Sequence, residues 1–367
     1  GAATALIGGG PGAIFWMWVS AFFGMSTIYA EATLAQQYKV KKDGEVTGGP
    51  VYYIRAAFKG TFGKALAAIF AILIVLALGF TGNMVQSNSI GAAFSEVFSA
   101  RNIEIPSIVF GLILAAVIGF IFLGGVNRLA SVVEKIVPIM AGIYIVGSLV
   151  LILMNITALP GAIKMIFVGA FNPEAVVGAG AGIAVREAIR FGVARGLFSN
   201  EAGMGSTPHA HARAKVENPH KQGLAAMISV FIDTFIILNL TVFSILTTGV
   251  LDSGKEGTAL TQAAFTKGFG NFGDIFVAVC LLFFAFSTIL GWHFFGEVNV
   301  KYLFGEKAAK FYSILVIGFV IVGSTLKVQL VWSLSDFFNG LMVIPNAIAL
   351  WALSGVVVKI CKQYGKK

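Results

Sequence analysis

Apolar stretches long enough to cross a bilayer recur along nearly the whole chain, and no other feature narrows its possible folds so far. A crossing helix needs about 20 predominantly apolar residues. With 57% hydrophobic and only 12% charged residues, against about 25% charged in an ordinary soluble domain, no interval is left in which a soluble domain of any size fits. The expected fold class is an all-α integral membrane protein, with residues 1–367 forming a single transmembrane domain.

Residues 1–8 read as the remnant of a helix ended by Gly8-Gly9-Gly10-Pro11, as if the chain opened partway through a span, so the N-terminus is expected to be incomplete. Gly12 to about Gln37 is the first full span. Others follow at about 62–94, 105–124, 130–155, 182–214 with an interruption, 222–250, 272–303, 308–324 and 328–358, with Gly, Pro and charge at the boundaries.

The net charge of +9 is not gathered into a stripe with exposed aromatics, which argues against nucleic acid as a partner. The cations sit instead in alternate loops: Lys39, Lys41, Lys42, Arg55 and Lys59; then Arg128 and Lys135; then Arg213, Lys215 and Lys221; then Lys301, Lys307 and Lys310. The positive-inside rule assigns these loops to the cytoplasm, and the C-terminal Lys359, Lys362, Lys366 and Lys367 with them. A cytoplasmic tail favours one long, kinked span over 328–358, although Pro345 and Asn346 leave a re-entrant hairpin near Asp336 to Pro345 open. Cys280 and Cys361 give neither a metal-ligand spacing nor a disulfide framework.

Spans 62–94 and 272–303 each exceed 30 residues, longer than a perpendicular crossing needs. Counting the N-terminal remnant as the first helix makes them the third and eighth, the pattern of two five-helix repeats of opposite topology, about 1–155 and about 180–360. The sixth helix on that count contains Gly196-Leu197-Phe198-Ser199-Asn200-Glu201-Ala202-Gly203-Met204-Gly205-Ser206-Thr207-Pro208. Glycines, a Ser-Asn-Glu run and a Pro near membrane depth mark a discontinuous helix, tolerable only where freed backbone groups face protein or a water-filled cavity. Its ends offer an N-terminal positive pole suited to a carboxylate and free carbonyls suited to a cation or an ammonium. An ordinary polar loop displaced to the cytoplasmic surface is the alternative.

Several segments resemble signatures of the sodium:alanine/glycine symporter family: Gly9-Gly10-Pro11-Gly12-Ala13-Ile14-Phe15-Trp16, Tyr29-Ala30-Glu31, Gly48-Gly49-Pro50, Gly82-Asn83-Met84-Val85-Gln86-Ser87-Asn88, Gly192-Val193-Ala194-Arg195-Gly196 with Phe198 to Gly203, and Phe284 through Trp292. The resemblance implies the inverted-repeat fold of the neurotransmitter:sodium symporter type, with discontinuous helices, and a first core helix whose break precedes this chain. It also implies Na⁺-driven uptake of a small neutral amino acid, alanine or glycine, by alternating access in the cell membrane. A cation-conducting channel or an amino-acid sensor on the same fold is the alternative. No obligatory protein partner is evident, and no Ser/His/Asp, His-Glu-x-x-His or paired-aspartate arrangement argues for an enzyme.

The expected substrate contacts are Gln86, the segment Phe198, Ser199, Asn200, Glu201, Ala202 and Gly203, and Thr288 with Trp292. Gln86 is a polar amide on a long apolar helix and needs a partner; Asn83 and Asn88 serve equally well as glue between helices. Ser287 and Thr288 offer hydroxyl oxygens to a hard cation, although such pairs commonly bond the carbonyl four residues back. Resemblance to the symporter fold makes them Na⁺ ligands, with the backbone oxygen of Phe284 as a third. Thr288 and Trp292, four apart, share a helix face. Phe198 and Trp292 together would leave room for a small side chain only. Glu31, Glu201, Asp233, Glu297 and Asp336 fall within or beside spans, where a charge marks a functional candidate, and each could instead pair with an Arg or Lys; Glu201 is the candidate for binding or gating, and Glu31 and Asp233 are expected to hold helices together. His209 and His211 are assigned no metal.

Overall fold

The computed structural model describes residues 1–42, 44–122, 125–172 and 185–365. The expected repeat boundary near 180, the start of the interrupted span at 182, the Arg128 side chain, Lys366 and Lys367 lie outside the described residues. Among the described residues seven helices are long and apolar enough to cross a membrane.

A short helix α1 (Ala2–Gly9) ends at Gly10, whose φ of 68° turns the chain through Pro11 into α2 (Gly12–Gln37). An antiparallel hairpin, β1 (Val40–Lys42) with β2 (Glu45–Thr47), pairs Val40 with Thr47 and Lys42 with Glu45. Gly49, at φ 127°, then leads into α3 (Pro50–Ala57), whose proline sits in the first turn, where a missing N–H costs nothing. Two apolar helices, α5 (Ser107–Phe122) and α6 (Gly125–Met154), follow the first long span, and the shorter α7 (Leu159–Phe171) closes the first half.

That first long span, α4, runs over Gly60–Ser99, 40 residues against the 33 expected, or about 60 Å at the helical rise. It passes through a wide π turn at Val75–Gly82, where the loosened carbonyls are met by side chains. Thr81 Oγ1 donates to the Ala77 carbonyl (2.8 Å), and Asn83 Nδ2 donates to that of Gly79 (3.0 Å).

The sixth helix of the sequence count is broken. Its first half, α8 (Val185–Asn200), stops where Glu201 takes φ 58°, and Gly203 and Gly205 follow at φ 93° and 78°. The second half, α9 (Pro208–Arg213), has six residues. Residues 202–206 are buried, which excludes a polar loop at the surface. Beyond the break come α10 (Pro219–Thr248), α11 (Gly257–Phe269), the second long span α12 (Gly273–Phe304) and α13 (Glu306–Thr325).

The last expected span is corrected at its end. Helix α14 (Val328–Ala352) passes through Pro345 without a hairpin but stops at Ala352, and α15 (Ser354–Tyr364) is a separate helix. Side chains pack into two main hydrophobic cores. One gathers around α4, α12, α13 and α14, the other around α1, α10 and α11. Helix α2 packs most extensively on α10 and α8.

Candidate functional site

Along the seam between the two cores runs a cavity of about 420 Å³, walled by residues of α1, α4, α6, α8, the break, α10, α11, α12 and α14. Of the residues picked out from the sequence, Gln86, Phe198, Ser199, Glu201, Phe284, Thr288 and Trp292 line it. Asn200, Ala202, Gly203 and Ser287 are not part of its wall. Among the described residues that line it are three carboxylates, Glu201, Asp233 and Glu256, and no Lys or Arg side chain. A low-dielectric cavity so lined favours cationic groups over anions.

The broken wall is built from the end of α8. Phe198 is buried and meets the Trp292 ring edge-on, with centroids 5.4 Å apart, and the Trp332 ring at 4.6 Å. Trp292 can approach α4 because residue 82 is glycine: a Cβ there would stand 2.8 Å from the indole carbons. The indole Nε1 donates to Glu201 Oε1 (2.7 Å), and Ser206 Oγ donates to the other carboxylate oxygen. Ser199 Oγ donates to Asp233 Oδ2 (2.8 Å), tying the end of α8 to α10. Asn200 folds back as a local cap, its Oδ1 accepting from the Ala202 N–H (3.1 Å), while its Nδ2 donates to Thr234 Oγ1 (3.1 Å).

The unbroken wall behaves differently. Ser287 Oγ and Thr288 Oγ1 both donate to the Phe284 carbonyl, at 2.9 and 2.8 Å. All three expected Na⁺ ligands thus lie within one turn of α12, with the two hydroxyls bonded to its own backbone, and only Phe284 and Thr288 reach the cavity. Gln86 lines the cavity from α4. Of its neighbours, Asn88 acts as glue between helices, its Nδ2 donating to the Gly323 and Leu326 carbonyls at the end of α13, at 2.9 and 2.7 Å, whereas Asn83 bonds Gly79 of its own helix.

At the break, the expected role of a half-helix N-terminus toward a carboxylate meets a structural obstacle. The Gly203 and Gly205 N–H groups already donate to Glu31, at 2.9 and 2.8 Å, and the first turns of α9 bond within the local chain. Helix α9 is held from outside the cavity. Gln36 Nε2 donates to the His211 and Ala214 carbonyls at its end (2.5 and 2.9 Å). His209 uses both ring nitrogens, Nδ1–H donating to the Ser206 carbonyl (2.7 Å) and Nε2 accepting from Asn299 (2.8 Å). Arg195, 1% exposed, pairs with Asp336 and stacks over Trp332 at 4.1 Å, joining α8 to α14 beside the cavity. Glu297 pairs with Lys301 (2.9 Å).

Two wall features escaped the sequence reading. Asp233, expected to hold helices together, also faces the cavity, and Asp233, Ile237 and Thr241 recur every four residues along one face of α10, a periodicity that marks a shared surface. Trp332 was not singled out at all, although it stands four residues before Asp336 on the same face of α14.

The sodium:alanine symporter family matches the chain over residues 1–367. The chain is 43% identical over 368 residues to the amino-acid carrier protein AlsT of Bacillus subtilis, covering 100% of this chain and 76% of that one. It is 41% identical over 372 residues to the sodium/alanine symporter AgcS of Methanococcus maripaludis, covering 100% and 80%. The probable sodium/glutamine symporter GlnT of Bacillus subtilis is 42% identical over 369 residues, covering 100% and 75%. In fold the chain resembles a solved manganese transporter of Eremococcus coleocola, with a TM-score of 0.57 at 14% identity over 96% of this chain and 75% of that one.

Proposed function

Because the chain belongs to the sodium:alanine symporter family, we propose that the seam cavity is where it holds alanine or glycine together with Na⁺ during coupled uptake. The chain is a multi-pass membrane transporter of the secondary active class and not an enzyme. The single observation that carries the site is the carboxylate-lined cavity between a broken helix and two unbroken long ones.

In this reading the zwitterion lies across the seam. Its ammonium faces Glu201 and Asp233 on the broken side, and its methyl group rests against the joined Phe198 and Trp292 rings. Its carboxylate faces Gln86 and the Na⁺ held near the Phe284 carbonyl and Thr288, with Ser287 behind. The ion neutralises the substrate's negative end, so each is bound better in the presence of the other, and that reciprocity is what couples their gradients. Alternating access follows from rocking two inverted repeats, about 1–155 and about 180–360, around the occupied site, with the C-terminus in the cytoplasm.

The test is transport by the full-length protein in proteoliposomes. An inward Na⁺ gradient should drive alanine above its equilibrium level at a fixed alanine-to-sodium ratio, with glycine competing better than glutamine. Sodium flux that runs without alanine, or alanine uptake indifferent to Na⁺, would sink the coupling.

A further inference from the structure

Glu31 lies on α2, outside the cavity, and is 0% exposed. A buried carboxylate without a cation is costly and is kept only where it is well hydrogen-bonded. Here every partner is neutral: the Gly203 N–H (2.9 Å), the Gly205 N–H (2.8 Å) and Asn346 Nδ2 (2.6 Å). The left-handed φ values at Glu201, Gly203 and Gly205 bring the two alternate glycine N–H groups to bear on one anion, the geometry of a backbone nest. Asn346, itself 0% exposed, closes the network. Its Nδ2 also donates to the Gly203 carbonyl (2.9 Å), and its Oδ1 accepts from the Tyr53 hydroxyl (2.5 Å).

One carboxylate therefore joins α2, the break, α14 and α3. We propose that Glu31 is a positioning residue for substrate binding: it fixes the backbone of Gly203 to Gly205 and so sets where the Glu201 carboxylate and the indole it binds stand in the cavity. The proposal rests on the cavity being the alanine site. Glu31 touches no substrate. Its effect passes through Glu201, two residues from the nest, whose left-handed backbone aims its side chain at Trp292.

Glu31→Gln preserves shape but offers one acceptor oxygen where two N–H groups need one each, and its amide nitrogen confronts a donor. One buried N–H is left unmet, a loss that corresponds to about a tenfold shift or more in the population of the ordered break. Two readouts on the purified full-length protein decide the matter. Amide hydrogen exchange at residues 202–206 should rise at least about tenfold in Glu31→Gln, and the alanine KM in proteoliposomes should rise about tenfold while Vmax per folded molecule changes less. Should Glu31→Gln fail to fold, Tyr53→Phe, which removes only the outermost bond, should raise both by about two- to threefold. Unchanged exchange overturns the anchoring; raised exchange with an unchanged KM reduces Glu31 to a structural role. Absence of Na⁺-driven alanine uptake by the unmodified protein would defeat the functional reading instead, and the exchange measurement would still decide whether Glu31 holds the break.

Discussion

The two polar walls of the cavity are built in opposite ways. On the broken side, Glu201, Ser199 and Asn200 stand where the helix has stopped, and the backbone that follows them is held by Glu31, Gln36 and Asn346, none of which lines the cavity. On α12 the helix never stops, and the oxygens of Ser287 and Thr288 rest on their own backbone at Phe284. A broken wall needs external support because its freed N–H and C=O groups have no partners within the helix. The unbroken wall supports itself and can turn its hydroxyls toward an ion at the cost of one local bond. The broken side is therefore expected to be sensitive to distant substitutions, the unbroken side only to substitutions on the cavity face.

The largest effect expected from that contrast is at Gly205. Its φ of 78° penalises any Cβ, and an added Cβ would lie 2.8 to 2.9 Å from Phe70 and Pro50. Gly205→Ala should reduce Na⁺-driven alanine uptake by at least about tenfold, since backbone strain of this kind costs roughly 1–3 kcal/mol before the clash is added. Gly291→Ala, on α12 with nothing within 4 Å of the added carbon, should leave uptake within about twofold. Equal losses at the two glycines would break the comparison.

A middling effect is expected where the walls touch. Trp292→Phe keeps an aromatic ring against Phe198 and removes the indole donor to Glu201, a hydrogen bond to a charged group worth about 1.5–3 kcal/mol. The alanine KM should rise about tenfold, and initial rates of uptake with Na⁺ held constant would measure it. An unchanged KM would mean that the two walls act independently.

The smallest effect separates two neighbours on α12. Thr288→Val should raise the Na⁺ concentration for half-maximal uptake by about threefold to tenfold, whereas Ser287→Ala, off the cavity wall, should change it by less than about twofold. If the two shift it alike, the unbroken wall does not present one face to the ion.

The same contrast explains what the sequence disclosed. The unbroken wall and the spans are local: apolar runs of about 20 residues, and Thr288 four residues before Trp292, are patterns that a single helix carries by itself. Adjacent side chains on a helix point about 100° apart, so Ser287 and Thr288 are not equivalent toward the cavity, and Thr288, four residues before Trp292, shares the face that lines it. The break at Gly196 to Pro208 was legible because glycine and proline punctuate it. Its supports were not. Glu31 is 172 residues from Gly203 and Asn346 is 143 on the other side, and no periodicity links them. Glu31 read correctly as a residue that joins helices, without the nest that is its partner. Pro345 was compatible with a hairpin or a kink, and the structure has one continuous helix ending at Ala352, with Asn346 beside the proline turned inward to Glu31.

The central claim is that one cavity on the seam holds both alanine and Na⁺ between these unlike walls. The most direct test is the experimental structure of the full-length protein saturated with both. Density for alanine in contact with Phe198, Gln86 and Trp292, and for an ion within bonding distance of Thr288 and the Phe284 carbonyl, is the predicted result. Alanine bound elsewhere while that cavity stays empty, in a preparation that transports alanine, would contradict it.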